Sequence, residues 1–213
     1  MKALFLNCTL KKSPEVSNTQ AFIAEAVKIF HELEVTTEVL RVVDLNVKFG
    51  VSSDAGDGDQ WPLILKRIYD CDILIIATPV WRGDRSSVAK MVAERMDGIM
   101  KEGNGDNGQY RTYNKVGGAM SDGNEDGAKK GIASILMDLS EQGFSIPVNA
   151  YTYYVGSAGP GPSYIEAHGD KHEFTNKMML LMIHNLVHLA KILKDNKYVT
   201  DIKKLEQRAK EMS

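Results

Sequence analysis

The sequence predicts an α/β protein with a five-stranded parallel sheet covered by helices on both faces. Three observations carry this. Ile73-Leu74-Ile75-Ile76-Ala77 is a continuous apolar run bounded by Asp72 and Thr78-Pro79, the pattern of a central parallel strand buried on both sides. Strand-like and helix-like segments alternate along the chain, which calls for crossover helices. The first twenty residues hold an apolar run, a loop rich in hydroxyls and a helix start.

Taken in order, Ala3-Leu4-Phe5-Leu6 reads as the first strand, and Asn7 to Thr19 as the loop after it. Phe22, Ile23, Ala26, Val27, Phe30 and Leu33 then recur at three- and four-residue spacings, the mark of a helix with one buried face. Ser17 followed by Gln20 makes a capping-box start. Glu38 to Val43 reads as a second strand ending at Asp44, and Asn46 to Asp59, rich in Gly, Ser and Asp, as a loop. Asp59 can cap a helix with Pro62 in its first turn and Trp61, Ile64, Leu65, Ile68 and Tyr69 on its apolar face.

After the central strand, a helix starts near Ser86 or Ser87 and runs through Val88, Met91, Val92, Arg95, Met96 and Ile99. A polar loop covers Glu102 to Tyr113, and Lys115 to Met120 reads as a fourth strand weakened by Gly117-Gly118. A helix from about Ala128 to Gln142 turns Ile132, Ile135, Leu136 and Leu139 inward and stops at Gly143. Ile146 to Val155 is β-branched and aromatic enough for a fifth strand. A connection at about 156–174, longer than usual and lid-like, precedes a helix from about Thr175 to Leu193 and a charged helical tail from Thr200. A single domain over 1–213 is the expectation.

Composition narrows the function classes. The chain has 213 residues, 43% hydrophobic and 25% charged, with a formal net charge of -2, so nothing favours nucleic acid or an anionic membrane as partner. Two cysteines, Cys8 and Cys71, suit a reducing compartment, and the start Met1 to Asn7 is too short an apolar run for a signal peptide. Met178 to Leu193 is interrupted by His184, Asn185, His188 and Lys191 and reads as a core helix rather than a membrane span. A cytoplasmic protein is expected.

In open α/β sheets, ligands bind beyond the carboxyl ends of the strands, so the loops at 7–19, 78–87 and 121–127 matter most. The first lacks glycine altogether, which excludes both the G-x-G-x-x-G turn and the P-loop. Its Thr9, Ser13, Ser17 and Thr19 hydroxyls, with the helix start, suit a phosphate, the alternative being an ordinary, well-capped strand-to-helix connection. Thr9, Ser17, Asn18 and Thr19 are the expected contacts. In Thr78-Pro-Val-Trp-Arg-Gly-Asp-Arg-Ser-Ser87, the Trp81 indole can stack on a flat heterocycle or fill a surface gap. Ser121-Asp-Gly-Asn-Glu-Asp-Gly127 has two glycines that permit positive φ and expose amide donors.

These three loops, in this order, together with Gly-Pro-Gly-Pro-Ser-Tyr at 159–164, resemble the flavodoxin-like NAD(P)H-dependent FMN reductases, and the resemblance covers residue 2 to about 190. It implies a flavodoxin-like three-layer sandwich with FMN as cofactor and NADPH or NADH as co-substrate. The FMN phosphate would sit at Thr9, Ser17, Asn18 and Thr19. Pro79, Val80, Trp81, Arg82 and Gly83 would line the isoalloxazine, with backbone amides near its O4 and N5 edge. Gly123, Asn124 and Glu125 would border the ring. No catalytic side chain is required beyond the flavin; Trp81 and Arg82 bound the hydride site, and Arg82 or Arg85 could contact a phosphate of the nicotinamide cofactor. Arg82, Asp84 and Arg85 stand where family members often carry small or uncharged residues. The acceptor would be a small molecule such as a quinone or free flavin, and a homodimer or homotetramer is expected because a neighbouring subunit often closes the flavin site. A flavodoxin-type electron carrier and a flavodoxin-fold binding protein without cofactor are the alternatives.

Other patterns point elsewhere and carry less. Asp122 to Gly127 imitates half of an EF-hand loop, but Ala133 stands where its bidentate Glu is needed. His184 and His188 have metal-ligand spacing with no third ligand, so no metal is expected. His168 and His172 could reach a substrate from the long connection. Cys8 reads as a packing residue, and the absence of a G-x-S-x-G elbow disfavours a hydrolase.

Overall fold

The computed structural model describes residues 1–102, 104–157, 159 and 161–212. Pro160 of the 159–164 run, Ala158 of the long connection and Gly103 of the 102–113 loop lie outside the described residues. Strands β1 (Lys2–Asn7), β2 (Thr36–Arg41), β3 (Ile73–Trp81), β5 (Val116–Gly123) and β6 (Tyr151–Val155) form a parallel sheet in the order β2-β1-β3-β5-β6, and a two-residue strand β4 (Asp84–Arg85) pairs antiparallel with β3. This is the flavodoxin-like strand order, in which the chain reverses direction across the sheet between β1 and β3.

Alternation along the strands sends side chains into two separate cores. Ala3 and Phe5 of β1, with Ile73, Ile75 and Ala77 of β3, pack under helices α1 (Asn18–Glu32) and α5 (Glu173–Asp195). Leu4, Leu6, Leu74 and Ile76 face the other way, under α2 (Trp61–Asp70), α3 (Ser87–Met96) and α4 (Ala128–Glu141). The helices' own periodicity matches this split: Phe22, Ile23, Ala26 and Phe30 are the buried face of α1, and Trp61, Ile64, Leu65 and Ile68 that of α2. Gly117 suits the crowded centre of β5, since a Cβ there would come within 3.0 Å of Ile146 and 3.1 Å of Leu139.

Several boundaries differ from the sequence reading, each for a physical reason. Val42 and Val43 are not strand; they form a 3-10 turn over Val42–Asp44 that carries the chain off the sheet edge. The last strand begins at Tyr151, and Ser145 makes only an isolated bridge to Val116; Pro147, which has no N–H, interrupts any ladder between them. The α3 helix stops at Met96 and continues as a 3-10 turn over Asp97–Lys101. The stretch after Ala77 is not a loop. β3 continues through Pro79 to Trp81, then turns back through Arg82 (φ 53°) and Gly83 (φ 73°) into β4. Positive φ at both central residues is what a tight two-residue hairpin requires.

The 46–59 loop is fastened by a buried ion pair. Arg95 Nη2 meets Asp59 Oδ2 at 2.6 Å, with both side chains fully buried, while the same guanidinium donates to the carbonyls of Ser52 and Lys48. The tail forms α6 (Ile202–Glu211), with no buried residue, held at its start where the Ile202 amide donates to the Asn107 carbonyl. His184 and His188 lie on the solvent side of α5. Among the described residues, no helix is long and apolar enough to cross a membrane.

Candidate functional site

At the β1/β3 switch point, a cleft of about 310 Å³ opens among Thr9, Leu10, Lys11, Asn18, Thr19, Pro79, Val80, Trp81, Asp122, Gly123, Asn124, Glu125 and Ser163. Its volume lies at the lower end of the range for small-molecule sites, about 300–1,000 Å³.

One end is built from the β1–α1 connection. Asn7, fully buried, shapes it: its Oδ1 accepts from the Thr9 amide at 3.1 Å, and its Nδ2 donates to Gln20 Oε1 at 2.9 Å. Thr9 Oγ1 in turn accepts from the Lys11 amide at 3.3 Å. At the helix start, Ser17 Oγ accepts from the Gln20 amide and the Ser17 carbonyl from that of Ala21. The Asn18 and Thr19 amides, in the first turn, have no intrahelical partner and sit at the positive end of the dipole. That is an anion seat.

The other end is built from the β3–β4 hairpin and the β5–α4 loop. Trp81, 52% exposed, stands at the outer lip with Pro79 and Val80 beneath it. The hairpin is clamped to the next loop: the Arg82 amide donates to Glu125 Oε1 at 3.1 Å, and Gly127 packs so closely on Gly83 that a Cβ there would overlap the Gly83 carbonyl. Val80 likewise leaves no room for a Cβ on Gly123, which would lie 2.9 Å from it. The long connection supplies the third wall. Asn124 Nδ2 donates to the Gly161 carbonyl, the Ile165 amide to Asn18 Oδ1, and Tyr164 is buried against Phe22 and Tyr154. These contacts make its described part a fastened wall of the cleft.

The cleft floor holds Asp122, 3% exposed, whose Oδ1 has no hydrogen-bond partner among the described residues. Burial pushes its carboxyl up to about 7, against the hydrogen bond of the Thr19 hydroxyl that pulls it down. Burial also pushes the Cys8 thiol upward, so it packs as an inert side chain despite lying beside the anion seat.

Of the residues expected from sequence, Thr9, Asn18, Thr19, Pro79, Val80, Trp81, Gly123, Asn124 and Glu125 come together around this cleft. Three do not line it. Ser17 spends its hydroxyl on the helix cap, and Arg82 and Gly83 form the hairpin turn, with the Arg82 side chain exposed. Ser13 is drawn away to Asp44, which accepts from both its hydroxyl and its amide. Arg85 is paired with Asp138 of α4, and Asp84 with Lys130 at 3.1 Å, so these charges brace the hairpin against α4. His172 caps α5, accepting from the Thr175 amide. Lys11, Asp122 and Ser163 line the cleft without having been singled out as site residues. The only signal for Asp122 in the sequence was its place in the ligand-facing 121–127 stretch.

The site suits a flat ligand carrying a terminal anion. The helix start would hold a phosphate, the orphaned Asp122 oxygen would meet polar atoms of the middle, and Pro79 to Trp81 would bound a ring. FMN has these parts.

Comparison with known proteins agrees. The chain is 40% identical over 222 aligned residues to an 8-demethyl-8-aminoriboflavin-5'-phosphate synthase of Streptomyces davaonensis, covering 100% of this chain and 86% of that protein. The crystal structure of RosB with bound intermediate 8-demethyl-8-formylriboflavin-5'-phosphate superposes with a TM-score of 0.93 at 40% identity, covering 100% of this chain and 88% of that one. The apo form of an NADH:FMN oxidoreductase, EMOB, shares the fold at a TM-score of 0.59 and 12% identity, over 89% of this chain and 88% of its own. Residues 1–159 match the NADPH-dependent FMN reductase family model, and the chain belongs to that family.

Proposed function

We propose that the cleft takes FMN, with its phosphate at the Asn18–Thr19 end and its ring against Pro79, Val80 and Trp81. On this reading the protein moves electrons from NADPH or NADH through that flavin to a small acceptor such as a quinone or free flavin. The observation that carries it is the joining, in one cleft, of a helix start able to hold an anion and an indole wall able to bound a ring. A flavin bound there would supply the redox chemistry. The chain's own part is to bind, orient and shield. Trp81 bounds the open face, and Arg82, exposed beside it, is a cation available to a phosphate of the nicotinamide cofactor, whereas Arg85 is held by Asp138. The Arg82 amide is bonded to Glu125, so its donation to the N5 and O4 edge requires Glu125 to yield. Anaerobic titration of FMN-loaded protein with NADPH and with NADH tests this; bleaching of the flavin band by either supports it, and no bleaching by both refutes it.

A second reading has its own support. Identity of 40% across the whole chain to an 8-demethyl-8-aminoriboflavin-5'-phosphate synthase, and to a structure holding an 8-demethyl-8-formylriboflavin-5'-phosphate intermediate, favours FMN as a substrate to be modified, rather than as a resident cofactor. Mass spectrometry of the flavin recovered after turnover separates the two: unchanged FMN favours the reductase, an altered mass at the ring the modifying enzyme. A homodimer or homotetramer belongs to the same proposal, tested by light scattering of the purified protein.

A further inference from the structure

Asp122 is an unusual group to find beneath an anion seat. It lies on the cleft floor at the end of β5, 97% buried, between the first turn of α1 and the β3–β4 hairpin. No cation is paired with it among the described residues. The charged and titratable groups around it come from every neighbouring element. Lys11, from the β1–α1 connection, is exposed at the lip; Arg82 is exposed on the hairpin; Arg85 is bound to Asp138. Glu125 sits on the adjoining loop and takes the Arg82 amide, with Asp126 exposed beyond it. Tyr164, from the long connection, is buried with an unpartnered hydroxyl and is held neutral chiefly by that burial. Glu25 of α1 and Asp170 lie around Tyr164, and His172 lies against Tyr154.

A bare carboxylate here is costly on its own, and a phosphate dianion at the α1 start adds like-charge repulsion. The Thr19 hydroxyl and the backbone amide of Asp122 itself work the other way, and burial still leaves the carboxyl pushed up to about 7. A phosphate offers acceptors that a protonated carboxyl can reach with its one donor. Resting on the FMN reading above, we infer that Asp122 carries a proton when FMN occupies the cleft and donates it in a hydrogen bond to the FMN phosphate, so that FMN uptake consumes a proton. Asp122 is thereby a positioning residue that couples flavin loading to pH.

The test is FMN binding to the full chain, read by flavin fluorescence from pH 7 to 8.5, where the phosphate, with a second pKa of about 6, no longer titrates. The expected result is a Kd that rises about tenfold per pH unit toward the top of this range. Riboflavin, without the phosphate, should show a flat profile, as should FMN with Asp122→Asn. Calorimetry of the unmodified protein in HEPES and in Tris at pH 8 should show about one proton taken up per FMN, a measurement that needs no variant to fold. A flat FMN profile, an equal slope for riboflavin or for Asp122→Asn, or no proton uptake overturns the inference while leaving the FMN site intact. Failure to bind FMN at any pH overturns both.

Discussion

Asn7 Nδ2 donates to Gln20 Oε1 at 2.9 Å, tying the end of β1 to the first turn of α1. The same side chain accepts from the Thr9 amide, so one buried amide group sets both the loop and the helix start that form the anion seat. Asn7→Ala removes both bonds and leaves the Thr9 amide buried without a partner. The expected loss is about 1–3 kcal/mol of stability, read from denaturant midpoints, with weaker FMN binding. Unchanged FMN affinity would show that the loop holds its shape without Asn7.

The clamp between the hairpin and the β5–α4 loop gives a contrast between two glycines. Both have positive φ, 73° at Gly83 and 123° at Gly127, but a Cβ on Gly83 has nothing nearer than 3.9 Å, whereas one on Gly127 overlaps the Gly83 carbonyl. Gly83→Ala should cost about 1 kcal/mol, from backbone conformation alone. Gly127→Ala adds a backbone collision and should cost about 2–5 kcal/mol, displacing Trp81 with the hairpin. Equal melting temperatures for the two variants would show that the loops separate freely.

The order of elements was legible because burial imposes it on sequence. A strand covered on both faces must be apolar throughout, as Ile73 to Ala77 is, and a helix over a sheet must repeat at three and four, as Phe22 to Phe30 does. The three ligand-facing loops followed from topology once the strands were placed. What stayed hidden depends on contacts between distant segments. Ser17 and Gln20 look like a reciprocal cap, yet the Gln20 side chain turns to Asn7, a partner invisible to local pattern. Arg85 looks like a free cation for a ligand until Asp138 arrives from α4. Asp122, between Ser121 and Gly123, reads as loop until β5 pairing carries it to the cleft floor. Arg82-Gly83 resembles an ordinary turn because arginine seldom takes positive φ.

The Arg95–Asp59 pair makes an acid-stability prediction. Burial alone would raise the Asp59 carboxyl, but the amides of Ala55, Lys48 and Trp61 and the Arg95 guanidinium hold it down to about 2. A folded pKa below the unfolded one, about 3.9, gives stability that is full above pH 4 and lost as pH falls toward 2. Urea midpoints should therefore drop steeply over that window. Arg95→Met leaves a buried carboxylate unpaired and should cost about 3–5 kcal/mol at pH 7, with the acid loss beginning at higher pH. A variant with the wild-type acid profile would show that the amides alone hold Asp59.

Trp81 offers the most direct reading of where the ring sits. The chain has two tryptophans, and they differ sharply: Trp61 is fully buried in the α2 core, while Trp81 is 52% exposed at the cleft lip. A flavin ring at Pro79 to Trp81 should quench the red-shifted emission of the exposed indole and leave that of Trp61 largely intact. Trp81→Leu should abolish the quenching and raise the Kd for FMN about two- to tenfold, the equivalent of about 0.5–1.5 kcal/mol of aromatic stacking. Its stability should change by no more than about 0.5 kcal/mol, because the side chain is half in water. Because the hairpin carrying Trp81 is braced by Glu125, Gly127 and Asp138, the lost quenching reports the ring's position rather than a shifted loop. FMN that binds Trp81→Leu as tightly as the unmodified protein would place the ring on the opposite wall, against Asn124 and Ser163, and leave the indole free for the second substrate.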